Sequence, residues 1–386
     1  MKTINGDITA VKGIMAAGKH IGIKKKGHDL GIIFSEKPAN AAAVYTKNQV
    51  KGAPLYVTEE HLKDGKAQAI IINSGIANVC TGEKGIDDAK LTCKLVSEEL
   101  GIKENDVLAA STGVIGKHLP MDKITKGIKG IKKELKKESH IAKAIMTTDR
   151  IEKKIAIKIG NITIGAVAKG SGMIHPNMAT MLCFICTDAA FSPDKLKEML
   201  VKSVNKSFNM ISVDMDTSTS DMVILMANGM KGEADEEEFQ KALDLICTEL
   251  AKKIAADGEG ATKLLECIAR NALTEEDAVK VAKSVITSNL VKCMFFGNDP
   301  NWGRIMGAAG YAGADIDPQK TDVFIGGIKV VSKGKGIKTN TEKLLKKMKG
   351  KHIEIIIDLN TGKQEARAYG CDLTTDYVRM NAHYST

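Results

Sequence analysis

Residues 168–190 read AKGSGMIHPNMATMLCFICTDAA, a loop of glycines and a proline that runs through Ala179 and Thr180 straight into an apolar segment. A threonine hydroxyl is a weak nucleophile without a base beside it. A threonine that begins a chain carries its own base, because its α-amine can accept the hydroxyl proton. Unperturbed, that amine titrates at about 7.7–8.0, which suits base catalysis near neutrality. Thr180 is internal, so the amine appears only if the bond after Ala179 breaks. The simplest route is attack of the threonine hydroxyl on the Ala179 carbonyl, giving an ester that water then hydrolyses. A small preceding residue and a tightly turned approach favour that step. On these residues alone, the competing reading is an ordinary threonine between a loop and a buried strand.

Other reactive-looking segments fit known chemistry less well. GVIGK at 113–117 leaves two residues between its glycines where a phosphate loop needs four, and no Ser or Thr follows the lysine. DMDTSTSD at 214–221 has Thr219 where a calcium loop needs glycine and Leu225 where it needs glutamate. GSG at 170–172 follows a strand-like run, but Pro176 interrupts what would have to be a helix. His175 stands alone before that proline and reads as a turn residue. Cys183 and Cys186 have redox spacing, yet on a strand they would face opposite sides, so they read as buried thiols. No metal site is expected.

The elements that must carry Thr180 are those of an ordinary globular chain. The 386 residues are 43% hydrophobic and 27% charged, with a net charge of +9 and eight cysteines spread from Cys80 to Cys371. No segment is apolar over a bilayer's thickness and the start, MKTINGDITAVKG, does not resemble a secretory signal. The cytoplasm, with reduced thiols, is expected. Aromatics are only 4%, and lysine-rich KITKGIKGIKKELKKESH (123–140) reads as a solvated helical face rather than a nucleic-acid surface.

Short strands and turns fill the first third, with a helix from about Gly85 to Leu100. Ser192-Pro193 is a helix start, and Thr274 with Asp277 forms a capping box. Phe239, Leu243, Ile246, Leu250 and Ile254 recur at helical spacing. Toward the end come a lysine-rich helix near 341–349 and a hairpin turning at Asn360–Gly362. Strands in runs, with helices after and between them, predict an α+β layered sandwich. A catalytic core over 1–285 and a smaller α/β C-terminal domain over 286–386 are expected.

INSGIANVCTG (72–82), STGVIG (111–116), IMTTD (145–149), AKGSGMIHPNMATML (168–182), DGEGATK (257–263), GNDPNWGRIMGAAGYAG (297–313) and NAHYST (381–386) occur together in this order. In that order and spacing the chain resembles the ornithine acetyltransferase (glutamate N-acetyltransferase) family along nearly its whole length. The resemblance implies an N-terminal-nucleophile-like sandwich that cleaves itself between Ala179 and Thr180, into fragments 1–179 and 180–386. Two copies of each fragment would form a heterotetramer.

The resemblance further implies that Thr180 is the nucleophile and that Thr112 and Gly113 form an oxyanion hole. Thr147, Lys169, Thr180, Glu259, Asn381 and Thr386 would bind substrate, with Thr148 an alternative to Thr147. The expected reaction moves an acetyl group from N-acetylornithine to glutamate through an acetyl-Thr180 ester, in arginine biosynthesis. It needs no cofactor. Acetyl-CoA as a second donor, or a related aminopeptidase or amidase in which water accepts the acyl group, are the alternatives. Outside those motifs, Lys169 and Glu259 would read as a surface ion pair. Trp302 reads as structural.

Overall fold

Segment 30–45, LGIIFSEKPANAAAVY, is one strand of 16 residues that changes partners halfway along, and the layering follows from that change. The structure is a computed structural model that describes residues 1–137, 139–175 and 181–383. Its strands are β1 (Lys2–Ile4), β2 (Ile14–Lys19), β3 (Leu30–Tyr45), β4 (Lys66–Ile76), β5 (Val107–Val114), β6 (Lys153–Ile159), β7 (Ile162–Lys169) and β8 (Leu182–Thr187). They continue with β9 (Ile211–Ser212), β10 (Met222–Ala227), β11 (Leu264–Ala272), β12 (Asp322–Ile325), β13 (Ile328–Ser332), β14 (Lys335–Gly336), β15 (His352–Asp358) and β16 (Gln364–Cys371). The helices are α1 (Ala53–His61), α2 (Gly82–Leu100), α3 (Met121–Ile128), α4 (Ile141–Ala144), α5 (Pro193–Lys206) and α6 (Glu236–Ala256). After them come α7 (Glu275–Thr287), α8 (Asn289–Gly297), α9 (Trp302–Gly310), α10 (Thr341–Met348) and α11 (Thr375–His383).

Among the described residues, one sheet runs β1-β6-β7-β8-β10-β3-β4-β5, with β2 also paired to β3. The C-terminal half of β3 pairs with β10, and its N-terminal half with β2 and β4. Between them the β4 register shifts, from Phe34 to Ala39, across Pro38. Proline has no N–H to give the ladder, so the strand bends there. Val167, Phe184 and Ile224 on one side of the bend then share a buried cluster with Ile33, Ile70, Ile72 and Leu108 on the other. The sheet has folded over on itself.

Helices cover both outer faces. Leu200 of α5 and Phe239, Leu243, Ile246 and Leu250 of α6 pack on Ile155, Ile164, Ile185 and Val223. Cys93 and Val96 of α2 pack on Ile71 and Ala109. The result is the expected α+β layered sandwich. A second sheet, β14-β13-β12-β15-β11-β16-β9, carries its own core against α7, α8 and α9. Residue 285 lies inside α7, which packs on β11 and β16, so elements of this second layer begin before it. No helix among the described residues is long and apolar enough to cross a membrane.

Local signals are realised where their partners are local. Ser192 Oγ accepts from the Lys195 N–H, and Thr274 Oγ1 accepts from the Asp277 N–H while donating to its carboxylate. Cys183 and Cys186 are both fully buried, in clusters on opposite faces of the sheet. The hairpin expectation fails. β15 and β16 flank Asn360–Gly362 but do not pair, because β11 lies between them, parallel to β15 and antiparallel to β16. The lysine-rich stretch also departs from one helix: α3 stops at Ile128, and Gly130 takes a left-handed φ of 79°.

Candidate active site

The folded-over sheet brings the ends of β4, β5 and β7 to one opening, where a cavity of about 700 Å³ lies. Thr112, Gly113, Thr147, Lys169, Glu259 and Asn381 all line it. These are the six candidates that fall on described residues. Ala179, Thr180 and Thr386 lie outside the described residues.

Thr112 and Gly113 end β5, beside Ser74 and Gly75 of the parallel β4. Gly113 has φ 131°, and a Cβ there would stand 2.3 Å from the Gly75 carbonyl carbon. Only glycine lets the two strand ends approach so closely. Ser74 Oγ donates to the Ala144 carbonyl (2.7 Å), and Asn73 Nδ2 to that of Ile76 (2.8 Å), fixing the β4 end. From the facing half, Lys169 Nζ donates to Thr112 Oγ1 at 3.1 Å. An oxygen that accepts from the ammonium keeps its hydroxyl proton for another acceptor.

Lys169 is 9% exposed and Glu259 7%, which corrects the surface ion-pair reading. Burial lowers the Lys169 pKa from its ordinary value, while Asp149 and Asp221 oppose the shift. Asp221 is itself buried, and burial pushes its carboxyl well up. Glu259 Oε2 accepts from Asn381 Nδ2 at 2.9 Å, so the C-terminal helix α11 does reach the cavity. The tail is pinned by Thr374 Oγ1 donating to the Gly260 carbonyl (2.8 Å). The GSG run now has a steric reason, since a Cβ on Gly172 would meet the Glu259 carboxyl carbon at 2.4 Å. Thr147 and Thr148 both line the cavity, so both threonines of IMTTD face it.

Other segments play supporting parts. Asp214 accepts from the N–H groups of Met173 and Ile174, tying the loop after β7 to the one after β9. His175 Nδ1 is 3.1 Å from Ser212 Oγ, a contact that joins the loop after β7 to β9. Trp302 packs against the second core and does not line the cavity. Among the described residues no cluster of His, Cys, Asp and Glu is arranged for a metal ion.

Sequence reasoning missed Lys24, whose Nζ donates to the Met146 carbonyl (2.9 Å) at the cavity wall. It also missed Asp149, whose Oδ2 accepts from the Thr147 N–H (3.1 Å) and Oδ1 from the Gly170 N–H (2.7 Å). Burial acts to raise the Asp149 pKa, but Lys153, Lys169 and the Gly170 N–H outweigh it and hold the carboxyl below its ordinary 3.8. A carboxyl lowered in the folded state stabilises above its unfolded pKa, and that stability drains as pH falls through the folded value. Melting temperature should therefore drop as pH falls below 3.8. Asp149→Asn, compared by thermal melts across that range, should flatten this part of the decline.

The ArgJ family matches residues 15–386. The Arginine biosynthesis bifunctional protein ArgJ of Caldanaerobacter subterraneus is 48% identical over 403 residues, covering 100% of both chains. A crystal structure of Arginine biosynthesis bifunctional protein argJ from Bacillus halodurans is 40% identical with a TM-score of 0.50, covering 51% of this chain and 96% of its own. That of Ornithine Acetyltransferase complexed with Ornithine from Mycobacterium tuberculosis is 39% identical with a TM-score of 0.45, covering 46% of this chain and 99% of its own. With a family match over nearly every residue and a curated relative aligned end to end, the chain belongs to the ArgJ family.

Proposed function

We propose that this chain is an acetyltransferase of arginine biosynthesis that moves the acetyl group of N-acetylornithine to glutamate, using Thr180 freed by self-cleavage. The observation that carries the reading is the meeting of all six described candidates on one cavity, at the end of β7. Met181, the residue after the proposed nucleophile, is described: its carbonyl accepts from the Met222 N–H, and Leu182 pairs with Lys169.

Thr180 Oγ attacks the acetyl carbonyl while its α-amine takes the hydroxyl proton. The Thr112 hydroxyl and Gly113 N–H receive the negative charge on the carbonyl oxygen. The C–N bond breaks, the proton passes to the departing ornithine amine, and an acetyl ester remains on Thr180. Glutamate then attacks that ester through its α-amine and leaves as N-acetylglutamate. Both amino acids use the same pocket in turn, so ping-pong kinetics follow. Lys169 and Glu259 offer one charge of each sign to substrates that carry both. The setting we assign is the cytoplasm, with two copies of each fragment assembled.

A second donor is favoured by the cavity's basic side. Lys24, Lys25, Lys26 and Lys117 line it, and ammonium groups there attract the phosphates of a thioester donor such as acetyl-CoA. The Caldanaerobacter relative is named bifunctional.

Denaturing mass spectrometry of the purified protein, followed by assays with each donor, tests both readings. Fragments of 179 and 207 residues (386 − 179 = 207) are expected, with glutamate acetylated from N-acetylornithine and from acetyl-CoA. An intact yet active chain overturns the nucleophile. Acetate released without N-acetylglutamate identifies an amidase.

A further inference from the structure

Beneath the cavity lies a cation that the proposed chemistry does not use. Lys153, the first residue of β6, is 0% exposed, and its Nζ lies 2.7 Å from both Asp149 Oδ1 and Asp257 Oδ2. It shares the inward face of β6 with Ile155, Ile157 and Ile159, where the two-residue period calls for an apolar side chain. Burying an ammonium with two carboxylates is a poor source of stability, because desolvation offsets most of the attraction and apolar replacements are often neutral or better. Stability therefore gives no sufficient reason for a lysine here.

What the two carboxylates hold gives one. Asp149 accepts from the N–H of Thr147 and from that of Gly170, the peptide directly after Lys169. Asp257 caps the end of α6 and accepts from the Arg150 N–H at 3.0 Å. Its main-chain carbonyl accepts from Ser171 Oγ (2.6 Å), and the Ser171 carbonyl accepts from the Glu259 N–H (2.9 Å). Thr147, Lys169 and Glu259 stand on three separate segments, and all three are tied to the same buried charge. Lys153 itself does not line the cavity.

We infer that Lys153 is a positioning residue, whose ammonium, acting through Asp149 and Asp257, sets the spacing of Thr147, Lys169 and Glu259 and thereby the fit of both amino-acid substrates. The inference rests on the proposed acetyl transfer. Lys153→Met leaves two carboxylates without their shared cation. In Lys153→Met/Asp149→Asn the lost cation is matched by a lost anion, while Asp257 keeps Arg150, whose Nε is 3.1 Å away. Folding should recover. The site should not, because an asparagine amide has one accepting end and cannot serve both the Thr147 and the Gly170 N–H.

The test is melting temperature alongside steady-state kinetics, normalised to the cleaved fraction, for wild type, both variants, Asp149→Asn and Lys154→Met. Lys154 is a surface neighbour paired with Glu152 and serves as the control. The expected result is a double variant that melts above Lys153→Met but keeps KM for N-acetylornithine and glutamate raised about tenfold or more, with kcat changed less. The control should match wild type. A role in stability alone predicts a double variant with the KM of Asp149→Asn alone, which already lacks the second acceptor, and that result overturns the inference, as does a folded Lys153→Met with wild-type KM. If Lys153→Met cannot be isolated, the comparison of the double variant with Asp149→Asn decides: a KM raised further through the Asp257 side is expected, and an equal KM overturns the inference. Failure of the functional reading is separately visible, since wild type would then transfer no acetyl group.

Discussion

Thr180→Ala is expected to leave a single chain of 386 residues that neither cleaves nor transfers acetyl groups. The same oxygen serves twice, first attacking the Ala179 carbonyl and then the acetyl carbonyl of substrate, so its removal stops maturation and turnover together. Loss of a covalent nucleophile costs on the order of a millionfold in kcat where it has been measured. Denaturing mass spectrometry reads the first effect and acetyl transfer to glutamate the second. Thr180→Ser keeps a hydroxyl and an α-amine and should still yield two fragments. An uncleaved Thr180→Ala protein with measurable turnover would remove the amine from its proposed role as base.

Gly113→Ala should lower kcat by about a hundred- to a thousandfold, equivalent to roughly 2.7–4 kcal/mol, the range for loss of one oxyanion donor. The added methyl would stand 2.3 Å from the Gly75 carbonyl carbon and 2.6 Å from both its oxygen and the Ile76 nitrogen. These are backbone atoms and cannot swing aside. Gly75 has little freedom of its own, with φ at 107° and Lys24 Cγ 2.9 Å from where its Cβ would be. The ends of β4 and β5 must therefore part, and the Gly113 N–H turns away from the developing charge. One oxyanion hole serves both half-reactions, so transfer from N-acetylornithine and transfer to glutamate should slow alike in single-turnover measurements. Thr112→Ala is the companion, since it removes a donor without moving the backbone. Normal turnover in both variants would mean that the negative charge forms elsewhere.

The candidate residues were legible because motif strings carry them, yet their environments were not. Taken apart from its motif, Lys169 has the look of a surface lysine; in the fold it lies at the closure of two half-sheets, touching Thr112 from 57 residues away. Lys153 is the sharper case. EKK at 152–154 reads as solvated charge, and only the period of β6, with Lys153, Ile155 and Ile157 facing inward, signals that one of these lysines is buried. Its two partners are 4 and 104 residues distant, and although both lie in motif strings, IMTTD and DGEGATK, nothing in those strings pairs them with Lys153.

Helix starts at Ser192 and Thr274, the inward and outward alternation that separates Cys183 from Cys186, and the glycines at Gly113 and Gly172 are written in the chain itself. Each depends on hydrogen bonds within a few residues or on the absence of a side chain, which the order of amino acids specifies directly. Strand pairing is a different matter. β15 and β16 are adjacent in sequence with turn residues between them, but β11, from about ninety residues earlier, takes the place between them. The bend of β3 at Pro38 likewise gains its meaning only when the two half-sheets meet. Burial of apolar faces selects these partners, and because that force is non-directional, many pairings satisfy the same pattern of side chains until the whole core is packed.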